Sequence, residues 1–149
     1  MKALVMILCL AMSGCAPVNR ISPQASPEWL LPAVEMSVDF WAQHGVGWEI
    51  ADGGLPISVG DTEGAWGFYQ DGAGNRIVIS DAAEDTGPVI RSCIVGHELG
   101  HHAQLQHVEG QPSMMNAIIT ICGTVEEPEC CWSDLDQAEL DRVLESEEG

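Results

Sequence analysis

Four of the five histidines fall within eleven residues, in the run His97-Glu98-Leu99-Gly100-His101-His102-Ala103-Gln104-Leu105-Gln106-His107. On a helix, His97 and His101 are four residues apart and project from one face, so both can donate to a single ion. Imidazole nitrogen at about 2.0–2.1 Å suits Zn²⁺. Glu98 is rotated from His97 by roughly 100° and flanks the ion rather than binding it, which is where a carboxylate can take the proton of a metal-activated water. A catalytic zinc takes three protein ligands and keeps one position open. His107 can be the third ligand if the chain leaves the helix after His101 and bends back. Ile94, Val95 and Leu99 argue that this helix is packed, not two histidines on a polar surface. His102 is read as an exposed or packed ring, and Cys93, one turn before His97, as a disulfide cysteine and not a ligand.

The spacing resembles that of the metzincin metalloproteases, HExxHxxGxxH followed by a turn containing Met, with the matrixin-like distance of eight residues between His107 and Met115. The resemblance implies one catalytic zinc on His97, His101 and His107, Glu98 as general base, and Pro112-Ser113-Met114-Met115-Asn116 as a Met-turn in which Met115 forms a floor beneath the metal. It implies an edge strand at Ala65 to Gln70, of which Ala65, Trp66, Gly67 and Phe68 pair with an extended substrate, a next strand at Arg76 to Ser80, and a C-terminal helix from Ser133 to Leu144. Fold and activity follow as expectations: a zincin-like α+β domain, its small twisted mixed sheet packed on the first and active-site helices, hydrolysing peptide bonds within a chain. At one position the sequence departs from the pattern. The Gly that turns the family's chain out of the helix is Gln104 here, so a non-glycine residue is expected at positive φ, with Gly110 sharing the bend. Two competing readings are a gluzincin-type peptidase, with Glu126 or Glu127 as third ligand, and a non-catalytic zinc-binding lipoprotein.

The elements that must position these side chains can be read around them. Pro32 suits a first helical turn, and Val34, Val38 and Trp41 recur at helical spacing up to Gly45. Gly47 to Ile50 and Leu55 to Val59 read as short strands, and Asp71-Gly-Ala-Gly-Asn75 as the turn between the two later strands. The active-site helix is expected to start near Thr86, a candidate N-cap ahead of Pro88. Ser133 and Asp136 suggest a capping box, followed by Leu135, Leu140, Val143 and Leu144 on one helix face, with Glu145 to Gly149 as a frayed end.

The chain has 149 residues, enough for one ordinary domain, and a formal charge of -18 from 5 Lys+Arg against 23 Asp+Glu. That balance excludes nucleic acid and charge-driven membrane binding as partners and favours cations, metal ions or neutral peptides. With the protease resemblance the expected partner is a peptide or protein substrate, and the chain is expected to be a monomer. The acidic run from Glu126 to Glu148 carries no calcium-loop motif and is read as a solvated face, which leaves Ca²⁺ as a secondary option only. Lys2 and the apolar run Ala3 to Met12 have the shape of an export signal. Met12-Ser13-Gly14-Cys15 resembles a bacterial lipobox, which implies a signal peptide over 1–14, a lipid on Cys15 as the sole membrane attachment, and an envelope location at the outer membrane. The Pro- and Ser-containing stretch to Pro27 reads as a linker over 15–27, which leaves 28–149 as the catalytic domain. Cys93, Cys122, Cys130 and Cys131 remain for disulfides. A bridge between the neighbours Cys130 and Cys131 needs a strained ring, so one of them should close a short loop to Cys122 and the other should tie down Cys93.

Overall fold

A computed structural model of the chain describes residues 19–147. The expected signal peptide and the lipid site at Cys15 lie outside the described residues. In chain order the elements are β1 (Asn19–Pro23), α1 (Leu30–Gln43), β2 (Trp48–Ile50), β3 (Leu55–Gly60), β4 (Gly67–Gln70), β5 (Arg76–Ser80), α2 (Pro88–His102), β6 (Ile121–Gly123), β7 (Pro128–Cys130) and α3 (Asp134–Glu147). The protein is therefore α+β, a mixed sheet with three helices.

β-Branched residues in β3 and β5 favour extended backbone. The two strands pair in parallel with Ile57 opposite Ile77 and Val59 opposite Ile79, and Leu55, Ile57, Ile77 and Ile79 are buried. The five-stranded sheet has the order β2-β1-β3-β5-β4, parallel throughout except for β4, the outermost strand, which runs antiparallel to β5. α1 buries Leu30, Ala33, Val34, Ser37 and Trp41, a stripe at helical spacing. Trp41 reaches across to α2 and donates its indole N–H to the Gly96 carbonyl at 3.1 Å. The core lies between this helix pair and the sheet, with Met114, Met115, Leu140 and Val143 closing it from the C-terminal side.

Three sequence expectations need correction. The stretch read as a linker over 15–27 supplies β1, which lies between β2 and β3 and buries Ile21 completely; the folded unit thus includes residues well before 28. Helix α2 is capped by Gly87, with Pro88 at its first position, while Thr86, the expected cap, closes a preceding 3₁₀ turn (Asp81–Asp85) by donating its hydroxyl to the Ala83 carbonyl at 2.8 Å. On α3 only Leu140 and Val143 face the core; Leu135 and Leu144 are exposed, and the helix continues to Glu147 where a frayed end was expected.

Two disulfides fasten the C-terminal part. Cys93–Cys130 ties α2 to β7, and Cys122–Cys131 closes the β6–β7 hairpin. Such bonds persist in an oxidising, extracytoplasmic compartment. No helix among the described residues is long and apolar enough to cross a membrane.

Candidate metal centre

α2 is buried continuously from Ser92 through Gly100 and opens to partial exposure at His101 and His102. His97 and His101 project from one face of it, and His107 folds back beside them. Their Nε2 atoms stand 3.1 Å apart for His97 and His101, 3.2 Å for His97 and His107, and 3.0 Å for His101 and His107. Among the described residues these three form the group able to hold a metal ion. Glu126 and Glu127 lie in the β6–β7 turn, outside that group, and Cys93 is in a disulfide.

The tautomers set what the cluster can hold. His97 Nδ1–H donates to the Met114 carbonyl at 2.8 Å, and His101 Nδ1–H donates to the Leu105 carbonyl at 3.0 Å. A carbonyl can only accept, so both neutral rings carry the lone pair on Nε2. Two lone pairs facing each other at 3.1 Å repel unless a cation lies between them. Protons supply it poorly here, because burial holds His97 down at about 4 and also lowers His101. A divalent ion with borderline softness fits the donor set, and the backbone carbonyls are the partners that orient imidazole ligands in such sites.

Glu98 is buried beside this cluster, and burial raises its carboxyl to about 7, against the opposing pull of the Tyr69 backbone N–H. β4 passes so close that a Cβ on Gly67 would stand 3.0 Å from Glu98 Oε1. Only glycine lets the strand approach the carboxylate without displacing it. Gly100 plays the same part on the opposite side of α2, where a Cβ would meet Met115 Sδ at 2.3 Å. Met115, fully buried, therefore packs directly on the residue before His101.

The turn carrying Met115 is held from α3. Asp136, fully buried, accepts from Ser113 Oγ at 2.6 Å and from the backbone N–H groups of Met114 and Met115 at 3.2 and 3.1 Å. It also accepts from the backbone and hydroxyl of Ser133, both at 2.8 Å, while Ser133 Oγ caps the Asp136 N–H at 3.1 Å. The expected capping box is present, but the same carboxylate also clamps the Met115 turn, and nothing in local spacing announces that second task.

α2 ends in a Schellman arrangement: Leu105 N–H bonds the Gly100 carbonyl at 2.9 Å and Gln104 N–H bonds that of His101 at 3.0 Å. Gln104 takes φ of 68°, the left-handed value expected of it, and Gly110 is also positive at 95°. The reversal buries Leu105 and aims its carbonyl at the His101 ring. Because a side chain at positive φ costs on the order of 1 kcal/mol, Gln104→Gly is expected to raise unfolding free energy by about 0.5–1 kcal/mol with the metal site intact. Urea denaturation of both proteins checks this; a loss of stability would mean that the Gln104 side chain holds the turn by contacts.

A cleft of about 480 Å³ runs along β4 over the three histidines and Glu98, closed on the far side by Ala117 and Ile119. Of the four residues expected to pair with a substrate, only Gly67 turns its backbone groups away from β5. Ser80 N–H bonds the Trp66 carbonyl at 2.9 Å, so by antiparallel alternation Trp66 and Phe68 direct their backbone groups to β5. Ala65 is tied to Thr62 in a turn. Gly67 and, unexpectedly, Tyr69 point outward. His102, read from sequence as merely packed or exposed, has its Nδ1 3.2 Å from the Tyr69 hydroxyl.

Compared with known proteins, the chain matches no family model, and no curated protein matches it.

Proposed function

We propose that the protein is a zinc-dependent endopeptidase of metzincin, matrixin-like type, with His97, His101 and His107 as zinc ligands and Glu98 as general base. One observation carries the reading: three imidazoles, two with their lone pairs fixed inward by backbone carbonyls, converge beside a buried carboxylate on the open edge of a sheet. A pure metal reservoir has no use for a desolvated carboxylate or for an unpaired strand edge.

Zinc, when bound, supplies Lewis acidity toward a water and toward a carbonyl oxygen. The chain's own residues do the rest. The outward backbone groups of Gly67 and the Tyr69 carbonyl lay an extended peptide along β4 by strand addition, while Glu98 holds the Tyr69 N–H. Glu98, desolvated and therefore a stronger base than an exposed carboxylate, takes a proton from water on a carboxylate oxygen and returns it to the leaving amine. Ala117 and Ile119, with Ile94 at the base of the cleft, offer an apolar wall to one substrate side chain.

Purified protein is expected to carry about one zinc per chain, to lose peptide cleavage when dialysed against a chelator, and to regain it with one equivalent of zinc. Metal analysis with an absorption-edge spectrum checks this. Sulfur in the inner sphere, or cleavage that survives complete metal removal, would overturn the assignment.

The lipid on Cys15 and the outer-membrane address belong to the same proposal.

A further inference from the structure

Glu98 and His102 lie one turn apart on α2, with a rise of about 6.0 Å between them. Gly67 and Tyr69 are alternate residues of β4, about 6.6–6.8 Å apart along the strand and on the same face. The two spacings match, so the strand sits in register on the helix: Gly67 over Glu98, and Tyr69 over His102. Tyr69 Oη donates to Asp71 Oδ1 at 3.3 Å, which leaves its lone pairs to accept from His102 Nδ1–H at 3.2 Å. Trp48 backs the His102 ring, with centroids 5.7 Å apart. On its sheet side β4 is bonded to β5 alone, through a four-residue strand. Its opposite margin is the one a peptide would occupy, so the helix beneath is what can set its height and register there.

We propose that His102 is a positioning residue for the substrate edge: by holding the Tyr69 hydroxyl it keeps β4 in register on α2, with the Tyr69 N–H on the Glu98 carboxylate and the Gly67 backbone at a set distance from the base. The kinetic part rests on the endopeptidase reading; the structural part does not. A strand free to slide would present its backbone groups to a peptide at varying distances from Glu98, and misplacement of that kind weakens productive binding before it alters the chemistry.

Three variants of the full chain test this: Tyr69→Phe, His102→Ala and His102→Asn, the last able to place a carboxamide N–H where Nδ1 stands. For Tyr69→Phe and His102→Ala, kcat/KM on a peptide substrate is expected to fall roughly tenfold, mostly through KM, with one zinc retained; His102→Asn should recover most of the loss. Amide hydrogen exchange supplies a readout that needs no substrate. The Tyr69 amide should exchange at least about tenfold faster in Tyr69→Phe and His102→Ala, while the Phe68 amide, which faces β5, stays protected. Equal acceleration of both amides would mean general loosening of the strand and would overturn the proposal. So would unchanged exchange at Tyr69, or an Asn variant no better than Ala. If the wild-type chain cleaves no peptide but the exchange pattern is as expected, the endopeptidase reading fails and the register role of His102 stands.

Discussion

Glu98→Gln is expected to leave one zinc per chain and to lower kcat by roughly 10²–10⁴-fold, the usual contribution of a positioned general base. The carboxamide fills the same buried space beside Gly67 and can still face the Tyr69 N–H through its oxygen, so the fold and the three imidazoles are undisturbed. What it lacks is an oxygen that can be protonated near neutral pH. His101→Ala should differ in kind, losing zinc and cleavage together, because it removes a ligand and frees the Leu105 carbonyl that the ring satisfied. Metal content and turnover measured on the same samples separate the two outcomes. A Gln variant that cleaves at near the wild-type rate would remove Glu98 from the mechanism.

The second large effect is expected from a residue with no direct contact to the metal. Asp136→Ala should destabilise the fold by about 3–5 kcal/mol, since it leaves the Met114 and Ser133 N–H groups and two serine hydroxyls without their buried acceptor, the Met115 N–H alone keeping a second one in Ser113 Oγ. Among the described residues no Lys or Arg pairs with Asp136, so these donors, with its place in the first turn of α3, are what support the carboxylate there. The consequence should reach the metal, because the peptide unit Asp136 holds at Met114 N belongs to the turn whose Met114 carbonyl orients His97. Zinc affinity is therefore expected to fall by roughly 10–100-fold, as is typical when an outer partner of a ligand is released. Denaturant unfolding and competitive zinc titration measure the two effects. Wild-type zinc affinity in a folded Asp136→Ala protein would show that the turn keeps its shape without this clamp.

Much of the site could be read from residue order because its parts are local. His97, Glu98 and His101 are related by helix geometry alone, and the Schellman turn that brings His107 back begins only three residues after His101. Even the left-handed conformation of Gln104 followed from the few residues available for the reversal. α1, the paired strands around Asp71–Asn75, and the capping box at Ser133 likewise rest on short-range rules of periodicity, turn chemistry and side-chain caps.

The parts that were misread or missed depend on partners distant in sequence. Asn19–Pro23 contains one proline and a single core residue, Ile21, and becomes a strand only because β2 and β3 offer it ladders on both sides. Leu135 and Leu144 fit a helical stripe, yet what covers α3 reaches only Leu140 and Val143. Which residues of the edge strand turn their backbone outward depended on parity, and parity is set by the pairing of Trp66 with Ser80 across the sheet. Asp136 was recognisable as a cap; that it also grips the Met115 turn depends on a contact spanning more than twenty residues. By itself, then, the sequence determined which three imidazoles converge, because their spacing is a property of one helix and its exit turn. The tertiary structure alone decided how that centre is held and how its edge strand is aligned, because those contacts join α2 to β4 and to α3, and no local preference encodes a pairing between segments that meet only when the chain has folded.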